Sequence, residues 1–325
     1  MTKAIVIHET GSPEVLKWET ADVGKPAKGQ VRIRQTAIGL NYIDVYYRSG
    51  LYPIAKFPSG IGLEAAGVIE EIGPGVRGLK LGTRVGYCSR PLGAYAEARL
   101  YDAASVVALP KAIDDRTAAA MMLKGLTAEY LLRRTYKVKK GDVILVHAAA
   151  GGVGLILCQW GKHLGATVIG TVGSDAKAKL VKANGCHHPI VYTRENFRER
   201  VREITGGEGC DVVYDSVGKT TFAESLGCLR RRGMMVAYGN ASGPVPPISP
   251  LLLSQHGSLF LTRPSLGDYI PTRREFVSAA EALFDVVKKK KVKIHVNQTY
   301  PLRDAARAHT DLVARKTTGS TVLIP

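Results

Sequence analysis

The chain has 325 residues, and its 45 lysines and arginines against 28 aspartates and glutamates give a formal net charge of +17. This length exceeds a single ordinary domain of about 100–200 residues, so we expect two domains. Hydrophobic residues make up 45% of the chain and charged residues 22%, which excludes global disorder. The basic excess is compatible with a nucleic acid, an anionic membrane or a polyphosphate cofactor as partner.

The cysteines are isolated from one another and odd in number, which argues against a disulfide framework and a clustered zinc site. They are Cys88, Cys158, Cys186, Cys210 and Cys228. A reducing, cytoplasmic compartment is therefore expected. The opening residues MTKAIVIHETG lack the pattern of a secretory signal. The uncharged stretch 143–161 contains His147 and a central Gly-Gly pair, so it predicts a strand, a turn and a buried helix, and no membrane span.

Short strands separated by glycine and proline turns are predicted for the first hundred residues. The segments are KAIVIHE, QVRIRQTAIGL, AAGVIEEIG, RVGYC and AYAEARL. In QVRIRQTA, apolar and polar residues alternate, which is typical of a strand with one face in water. This part of the chain therefore predicts a compact, mostly β domain.

From about Thr117 the pattern changes to helices that alternate with apolar strands. TAAAMMLKGLTAEYLLRR is rich in helix formers. After it come the predicted strands VILVHAA, TVIGTVG, CDVVYDSVG and MMVAYGN, alternating with the predicted helices GLILCQWGKHLGA, SDAKAKLVKANG and TFAESLGCLRRRG. Strands that alternate with helices of about 10–15 residues predict parallel βαβ units.

A proline-rich loop, ASGPVPPISPLL, ends this alternation. The sequence then predicts a strand in GSLFLTRPS, a helix over 273–289, a strand near VKIHVNQTYPL, a helix in DAARAHTDLVARK and a final strand STVLIP. The basic runs Arg230–Arg232 and Lys288–Lys291 are interpreted as solvated helix ends and turn surfaces.

The strand that begins at Val143 runs into Gly151-Gly152-Val153-Gly154, and a helix through Leu155 to Leu164 follows. Glycines at such a junction allow a sharp turn and let backbone N–H groups approach a pyrophosphate at the start of the helix. The spacing departs from strict G-x-G-x-x-G, since Ala148 and Gly151 stand where two glycines are expected. A tight turn without a ligand is the alternative, but the second strand TVIGTVG lies at the right distance for a dinucleotide site.

The end of that second strand indicates which dinucleotide binds. An NAD-selective site usually has Asp or Glu there to hold the ribose 2′-hydroxyl. Here the strand ends at Gly173-Ser174 and Lys177 follows one helical turn later, so a 2′-phosphate is favoured and NADPH is the predicted cofactor. Asp175 opposes this prediction if its side chain turns inward, and Lys177 is alternatively a solvated helix residue.

These motifs together resemble the quinone oxidoreductases, the zinc-free branch of the medium-chain dehydrogenases and reductases that includes zeta-crystallin. The resemblance covers essentially the whole chain, in order. It rests on NYIDVYYRSGLYP from Asn41, GLEAAG, LKGLTAEYLLRRTY, HAAAGGVGL, VVYDSVG, RRGMMVAYGNASG, LTRPS and STVLIP.

The resemblance implies an α/β protein with a GroES-like, β-rich catalytic domain and a Rossmann domain with a doubly wound parallel sheet. It implies that residues 1–125 and 267–325 form the first domain and 126–266 the second, with NADPH in the cleft. Members of the family are commonly homodimers that pair through the Rossmann sheet, so a homodimer is expected.

Zinc alcohol dehydrogenases of the same superfamily use an early Cys, a His in a GHE motif and a later Cys, often with a four-cysteine lobe. This chain has Asn41 at the first position and Gly62-Leu63-Glu64 in place of GHE. Asparagine and leucine side chains cannot replace a thiolate and an imidazole as Zn²⁺ ligands, so no metal is expected.

The resemblance also assigns cofactor contacts, from the nicotinamide through the pyrophosphate to the 2′-phosphate. They are Tyr42, Tyr46, Tyr130, Gly151, Gly152, Val153, Gly173, Ser174, Lys177, Tyr192, Val217, Gly239, Asn240, Arg263, Pro264, Ser265 and Arg315. At Tyr42 close relatives often carry Phe. Without the resemblance, Tyr130 and Tyr192 are ordinary packing tyrosines and Arg315 is a surface residue near a helix end.

Without a metal, hydrogen-bond donors must polarise the carbonyl oxygen of the acceptor as negative charge develops on it. The resemblance implies Asn41, Tyr46 and Tyr52 as these donors, with Lys124 as a nearby cation. For the two tyrosines, the alternative is a role in pocket shape and stacking.

The predicted activity is hydride transfer from NADPH to a quinone, because reduction to an aromatic hydroquinone needs little acid catalysis. Reduction of α,β-unsaturated ketones or aldehydes is the alternative within enzymes, since fold-level analogy does not settle substrates. The charge of +17 also motivates single-stranded RNA binding, although no RRM or KH signature is present. A purely structural, crystallin-like role is the third alternative.

Overall fold

The computed structural model describes residues 2–325. Its strands are β1 (Thr2–Ile7), β2 (Lys17–Ala21), β3 (Gln30–Leu40), β4 (Ser59–Gly60), β5 (Glu64–Ile72), β6 (Arg84–Tyr87), β7 (Ala98–Asp102), β8 (Val107–Ala108), β9 (Val143–Val146), β10 (Thr167–Val172), β11 (His188–Val191), β12 (Cys210–Asp215), β13 (Leu229–Ala237), β14 (Phe260–Thr262), β15 (Val296–Pro301) and β16 (Ser320–Ile324). Its α-helices are α1 (Tyr42–Arg48), α2 (Asp115–Tyr130), α3 (Gly152–His163), α4 (Asp175–Ala183), α5 (Phe197–Ile204), α6 (Phe222–Leu226), α7 (Leu251–Gln255), α8 (Leu266–Tyr269), α9 (Arg273–Lys288) and α10 (Ala305–Val313).

The predicted elements with a strong apolar pattern are confirmed, and the prediction for TFAESLGCLRRRG is wrong beyond its first half. Only α6 is helical there, and Leu229 already belongs to β13, where it pairs with Cys210. Leu229 is buried, so pairing with the sheet outweighs local helix propensity. The run Arg230–Arg232 therefore lies on a strand and not at a helix end. The sequence predicts no element at α1, α5 or β11, because their apolar patterns are too short to recognise.

The chain folds into two compact units. The first unit comprises residues 2–126, Ile270–Lys288 and Ile294–Pro325, and the second comprises Thr127–Tyr269 and Lys289–Lys293. The domain boundaries implied by the resemblance, at 125/126 and 266/267, stay a prediction. No helix within residues 2–325 combines the length and the apolar character needed to cross a bilayer.

The second unit contains a parallel sheet of six described strands in the order β11-β10-β9-β12-β13-β14. Counted within the unit, this is the order 3-2-1-4-5-6 of a doubly wound dinucleotide-binding sheet, in which the strand order reverses beside β9. The central strands β9, β10 and β12 are buried on both faces, as their continuous apolar runs predict: Leu145, Ile169 and Val213 are fully inaccessible.

The first unit is built on a mostly antiparallel sheet in the order β15-β16-β3-β5-β6-β8, with β7 also paired to β3. A smaller sheet, β2-β1-β4, belongs to the same unit. The alternation predicted for β3 is confirmed, because Val31, Ile33, Gln35 and Ala37 are buried and the residues between them are more accessible. The polar member of this row is satisfied: Gln35 Nε2 donates to the carbonyl oxygens of Ala94 and Ala96, at 2.8 and 2.5 Å.

Candidate functional site

In the second unit, most of the predicted cofactor residues lie where the parallel strands end. In an open parallel sheet the carboxyl ends of the strands meet at one edge, and ligands bind there, next to the point where the strand order reverses. The residues that follow β9, β10, β12, β13 and β14 at this edge are Gly151, Gly152, Val153, Gly173, Ser174, Lys177, Val217, Gly239, Asn240, Arg263, Pro264 and Ser265.

The glycine turn connects β9 to α3 and has no room for larger residues at its closing position. A Cβ atom on Gly154 would lie 2.4 Å from the Ala148 carbonyl oxygen and 2.7 Å from the Ala149 Cα atom. Ala148 itself takes a left-handed conformation with φ 49°, which explains why a glycine is common at this point of the turn. Gly151 is the N-cap of α3, so the N–H groups of Gly152 and Val153 lie in the first helical turn, where no intrahelical acceptor exists.

The end of β10 forms a second small cradle. Ser174 caps α4, and its Oγ accepts a hydrogen bond from the backbone N–H of Lys177 at 3.4 Å. A Cβ atom on Gly173 would lie 2.9 Å from the Tyr192 hydroxyl oxygen, so the tyrosine closes directly over this glycine. The structure therefore brings Gly173, Ser174, Lys177 and Tyr192 together, as the resemblance implied.

Asp175, the residue that opposed the NADPH prediction, is paired with a cation. Arg194 donates to its carboxylate at 2.7 Å, and both side chains are more than half exposed. The hydrogen bond from Arg194 lowers the pKa of Asp175. Its negative charge is therefore partly compensated by Arg194, a residue that the sequence analysis did not single out.

The loop after β12 is held by a buried carboxylate that the sequence analysis also missed. Asp215 is fully inaccessible and accepts hydrogen bonds from the backbone N–H groups of Val217 and Gly218, at 2.7 and 3.1 Å, and from Thr221 Oγ1 at 2.8 Å. The neighbouring Gly239 has no space for a Cβ atom, which would lie 2.4 Å from the Ser216 carbonyl oxygen. An acidic residue at the end of an apolar strand was the available signal for Asp215.

Two further predicted residues of the second unit have specific neighbours. With its amide oriented so that Nδ2 donates to the Gly239 carbonyl, Asn240 accepts a hydrogen bond from Arg263 Nη2 at 3.3 Å. Tyr130 is buried and stacks on Tyr269, with ring centroids 4.4 Å apart and planes inclined by 14°. Tyr130 therefore has the packing role expected of a lone tyrosine, and its assignment as a cofactor contact stays a prediction.

In the first unit, α1 and the turn after it assemble a cluster of tyrosines. The Tyr46 ring lies 5.5 Å from the Tyr42 ring and 5.2 Å from the Tyr52 ring, measured between centroids. The backbone N–H of Tyr52 donates to the Tyr46 carbonyl at 3.0 Å, which fixes the second tyrosine relative to the first. Tyr46 is buried and Tyr52 half-buried.

Asn41 and Lys124, the other predicted catalytic residues, converge on Glu64. Asn41 Nδ2 donates to Glu64 Oε2 at 2.7 Å, and Lys124 Nζ donates to the same oxygen at 3.2 Å. The backbone N–H of Leu123 donates to Oε1 at 2.7 Å. Glu64 is fully inaccessible, so three donors compensate one buried carboxylate. Asn41 Nδ2 also donates to the Gly39 carbonyl at 3.3 Å, so both amide hydrogens have acceptors inside the protein.

The positions that bind zinc in related alcohol dehydrogenases hold no ligand set. The Asn41 amide acts as a donor to Glu64, and Leu63 is a buried apolar residue. Among residues 2–325, no group of three or more His, Cys, Asp and Glu side chains is arranged to hold a metal ion, and the described cysteines are free and buried. Arg315, predicted near the 2′-phosphate, lies just after α10 with φ 59° and is exposed.

A doubly wound parallel sheet with a glycine turn at its strand-order reversal, and a β-rich unit in the same chain, define the class of two-domain dinucleotide-dependent oxidoreductases. Family models agree with this division: residues 27–111 match the alcohol dehydrogenase GroES-like domain, and residues 152–283 match a domain described as zinc-binding dehydrogenase. The predicted fold class is confirmed.

The curated relatives are full-length matches. The chain is 50% identical to the quinone oxidoreductase of Pseudomonas aeruginosa, over 100% of both chains, and 51% identical to a 2-haloacrylate reductase of a Burkholderia species, over 100% of this chain and 99% of the relative. The crystal structure of Escherichia coli quinone oxidoreductase complexed with NADPH is 48% identical and has a TM-score of 0.98, covering 99% of this chain and 100% of that one. The chain belongs to the quinone oxidoreductase family, as the resemblance predicted.

Proposed function

We propose that this protein is a zinc-independent NADPH:quinone oxidoreductase. The proposal rests on the edge of the parallel sheet. There a glycine turn suited to a phosphate lies beside a second strand that ends in uncharged residues and is followed by Lys177 on the next helix. Relatives that are named quinone oxidoreductases and are 50% and 48% identical over the full length support the same reaction. An excess of basic side chains across the chain favours an anionic cofactor.

The residues of the second unit fit NADPH. The N–H groups of Gly152 and Val153 at the start of α3, with the helix dipole behind them, are suited to the pyrophosphate. Ser174, Lys177 and Tyr192 provide two hydroxyl donors and a cation for the 2′-phosphate. The assignments of Arg315 and Tyr42 in the first unit as cofactor contacts stay predictions from the resemblance.

When bound, NADPH supplies the hydride for the reduction. The protein's own contribution is to orient the acceptor and to stabilise the negative charge that develops on its oxygen. We assign Tyr46 and Tyr52 as hydroxyl donors to that oxygen, because their rings share one cluster. We assign Asn41 and Lys124 to act through Glu64, since their donor groups already bind that carboxylate.

The proposal is tested by stopped-flow measurement of NADPH oxidation with a panel of quinones, with NADH in a parallel series. Lys177→Ala is expected to weaken NADPH binding about tenfold or more and to leave NADH little changed, as loss of a charge-assisted contact predicts. Lys179→Ala, on the same helix but exposed, is the matched control and is expected to bind both cofactors normally. Equal losses for NADPH and NADH in Lys177→Ala would contradict the assignment.

A second substrate class is favoured by one relative, the 2-haloacrylate reductase at 51% identity. Its name denotes reduction of a conjugated carbon–carbon double bond, which is close to the α,β-unsaturated ketones and aldehydes predicted as alternatives. Product analysis with benzoquinones, short enones and 2-haloacrylates as competing acceptors separates the two. A specificity constant for an enone or haloacrylate above that for every quinone would replace the quinone assignment.

We also propose a homodimer that pairs through the edge strand β14. This strand ends the sheet, and Phe260 and Leu261 on it are 58% and 37% exposed, with Leu251 at 62%. An apolar edge with unpaired backbone groups is suited to pairing with a second copy. Phe260→Asp is expected to yield a monomer in sedimentation analysis, whereas Leu81→Asp, a similarly exposed apolar residue of the first unit, should not change association.

The five buried, free cysteines support a reducing, cytoplasmic setting for this reaction. RNA binding, the alternative of another class, has only the net charge of +17 in its favour. It is tested by titrating the protein with single-stranded RNA at increasing salt. Binding that weakens steeply with salt and competes with NADPH would support it.

A further inference from the structure

A buried chain of polar groups in the first unit leads to the first turn of α1. His309 Nε2 lies 3.1 Å from the Tyr95 hydroxyl, which donates to Asp44 Oδ2 at 2.8 Å. The backbone N–H of Asn41 donates to the same carboxylate oxygen at 2.9 Å. When Asp44 is ionised it accepts the tyrosine proton, and His309 then donates from Nε2 to the Tyr95 oxygen.

These groups are shielded from water. Asp44, Tyr95 and His309 each have no accessible surface. Burial raises the pKa of Asp44 to about 7, and burial, followed by the nearby charge of Arg48, lowers the pKa of His309 to about 3. His309 is therefore neutral at physiological pH, while the Asp44 carboxyl gains or loses its proton close to neutrality.

Each element packed around Asp44 contributes a charged or titratable group. Lys124 on α2 favours the ionised carboxylate, and Glu64 on β5 opposes it. Tyr95 contributes its hydrogen bond, and His309 on α10 is bonded to Tyr95. On α1 itself, the buried Arg48 lies near enough to affect both Tyr95 and His309, and its own neighbour is Glu14.

Asp44 is placed to transmit its charge state to the tyrosine cluster. It is the third residue of α1, and its bond to the N–H of Asn41 closes the N-terminal turn of that helix. The same helix carries Tyr42 and Tyr46, and the Tyr46 carbonyl holds the backbone of Tyr52. An ionised carboxylate accepts hydrogen bonds more strongly than a neutral one and also favours the positive end of a helix.

We propose that Asp44 is a positioning residue for the substrate site: in its ionised form it tightens the first turn of α1 and holds Tyr46 and Tyr52 in the arrangement that receives the acceptor. The role of the tyrosines rests on the proposed function. The coupling between the protonation of Asp44 and the order of α1 does not, so it is measurable without substrate or cofactor.

The first test follows unfolding midpoints from pH 4 to 8. The folded protein keeps the Asp44 proton to higher pH than the unfolded chain, so wild type should lose stability relative to Asp44→Asn as pH rises through this range up to about 7. His309 has the opposite sign: the unfolded chain binds its proton more readily, so wild type should gain stability relative to His309→Gln as pH rises to about 6.5. The proposal would be overturned if the two stability differences changed with pH in the same direction. It would also be overturned if the difference between wild type and Asp44→Asn did not change with pH.

The second test measures the NMR chemical shift of the Asn41 backbone amide proton, which the hydrogen bond to Asp44 moves downfield. Ionisation lowers the global stability through desolvation, but within the folded state it strengthens this bond, so the signal should move further downfield in wild type between pH 6 and 8. In Asp44→Asn the shift should stay constant across this range. Asp114→Asn, which alters an exposed carboxylate that caps α2 through Thr117, is the control and should behave as wild type. A wild-type Asn41 shift that does not change with pH would overturn the positioning role.

The third test is the pH profile of quinone turnover. In wild type kcat should rise through a midpoint near 7, and Tyr95→Phe should move this midpoint upward, because the Tyr95 hydrogen bond favours the ionised carboxylate. Asp44→Asn should remove the midpoint. A wild-type midpoint that persists in Asp44→Asn would overturn the proposal. Failure of every quinone to react would instead contradict the proposed function, and the Asn41 amide shift would still decide the role of Asp44.

Discussion

The two units prepare for ligands in different ways. In the second unit the groups suited to the pyrophosphate are main-chain N–H groups at the start of α3, and the buried carboxylate Asp215 is itself satisfied mainly by backbone N–H donors. In the first unit the buried carboxylate Glu64 is compensated largely by the side chains of Asn41 and Lys124, and Asp44 is bonded by the Tyr95 side chain as well as by one backbone N–H. Main-chain donors stay in place when a side chain changes, whereas a side-chain network depends on every member.

The buried basic groups differ in the same sense. In the second unit His147 is bonded by Thr171 and Ser225, at 2.9 and 2.8 Å, and burial lowers its pKa, so it is neutral. In the first unit Lys124 is buried beside Glu64 as an ion pair. A buried ion pair is costly to disrupt on one side, because the remaining charge keeps its desolvation penalty. We therefore expect single substitutions to have larger effects in the first unit.

The largest effect is expected for Glu64→Ala. It leaves the Lys124 ammonium buried without its carboxylate, which should lower the free energy of unfolding by about 3–5 kcal/mol. Glu64→Gln combined with Lys124→Met removes both charges and should recover much of this loss. Denaturant unfolding measures all three proteins. A loss for Glu64→Ala below that of an ordinary surface substitution would remove the basis of the comparison.

Gly154→Ala tests the main-chain site of the second unit. The new Cβ atom would meet backbone atoms at 2.4 and 2.7 Å, which cannot move without opening the turn. We expect a loss of about 1–3 kcal/mol in stability and weaker NADPH binding. Gly151→Ala, whose Cβ atom would lie 3.3 Å from the Ala148 carbonyl oxygen, should be less destabilising. Calorimetry on both variants gives the ranking, and a reversed order would contradict the packing explanation.

The neutral His147 predicts a pH dependence of stability that originates in the second unit. Its folded pKa is lowered, so the unfolded chain takes up the proton first as pH falls below about 6.5. The free energy of unfolding of wild type relative to His147→Gln should therefore fall by at most about 1.4 kcal/mol per pH unit on acidification. Urea titrations at pH 7 and pH 5 measure the difference. An advantage that grows at pH 5 would show that the histidine is charged in the fold.

The smallest effect is expected for Arg194→Ala. It releases the exposed carboxylate of Asp175 beside the Ser174 cap, which should raise the Kd for NADPH about two- to fivefold and leave NADH unchanged. The effect should fade in high salt, because exposed charges are screened. Isothermal titration with both cofactors checks this, with Asp175→Ala expected to restore binding. A change of the same size for NADH would assign Arg194 a role other than selection of the 2′-phosphate.

The sequence alone determined the parallel sheet, the glycine turn and the lack of zinc ligands at Asn41 and Leu63. Each of these depends on local features: continuous apolar runs, residues without a Cβ atom at a strand–helix junction, and the chemistry of single side chains. The same locality led to one error, because the helix predicted through Cys228 and Gly233 ignored the pairing of β13 with β12.

Only the tertiary structure decided which distant side chains meet. Tyr95 and Asp44 are 51 residues apart and His309 is 214 residues from Tyr95, yet they form one buried chain. No pattern in the sequence marks such contacts, since a lone Asp, Tyr or His reads the same in the core and at the surface. The helical position of Asp44 follows from local sequence. Its desolvation, and hence its titration near neutrality, follows only from what the fold packs against it.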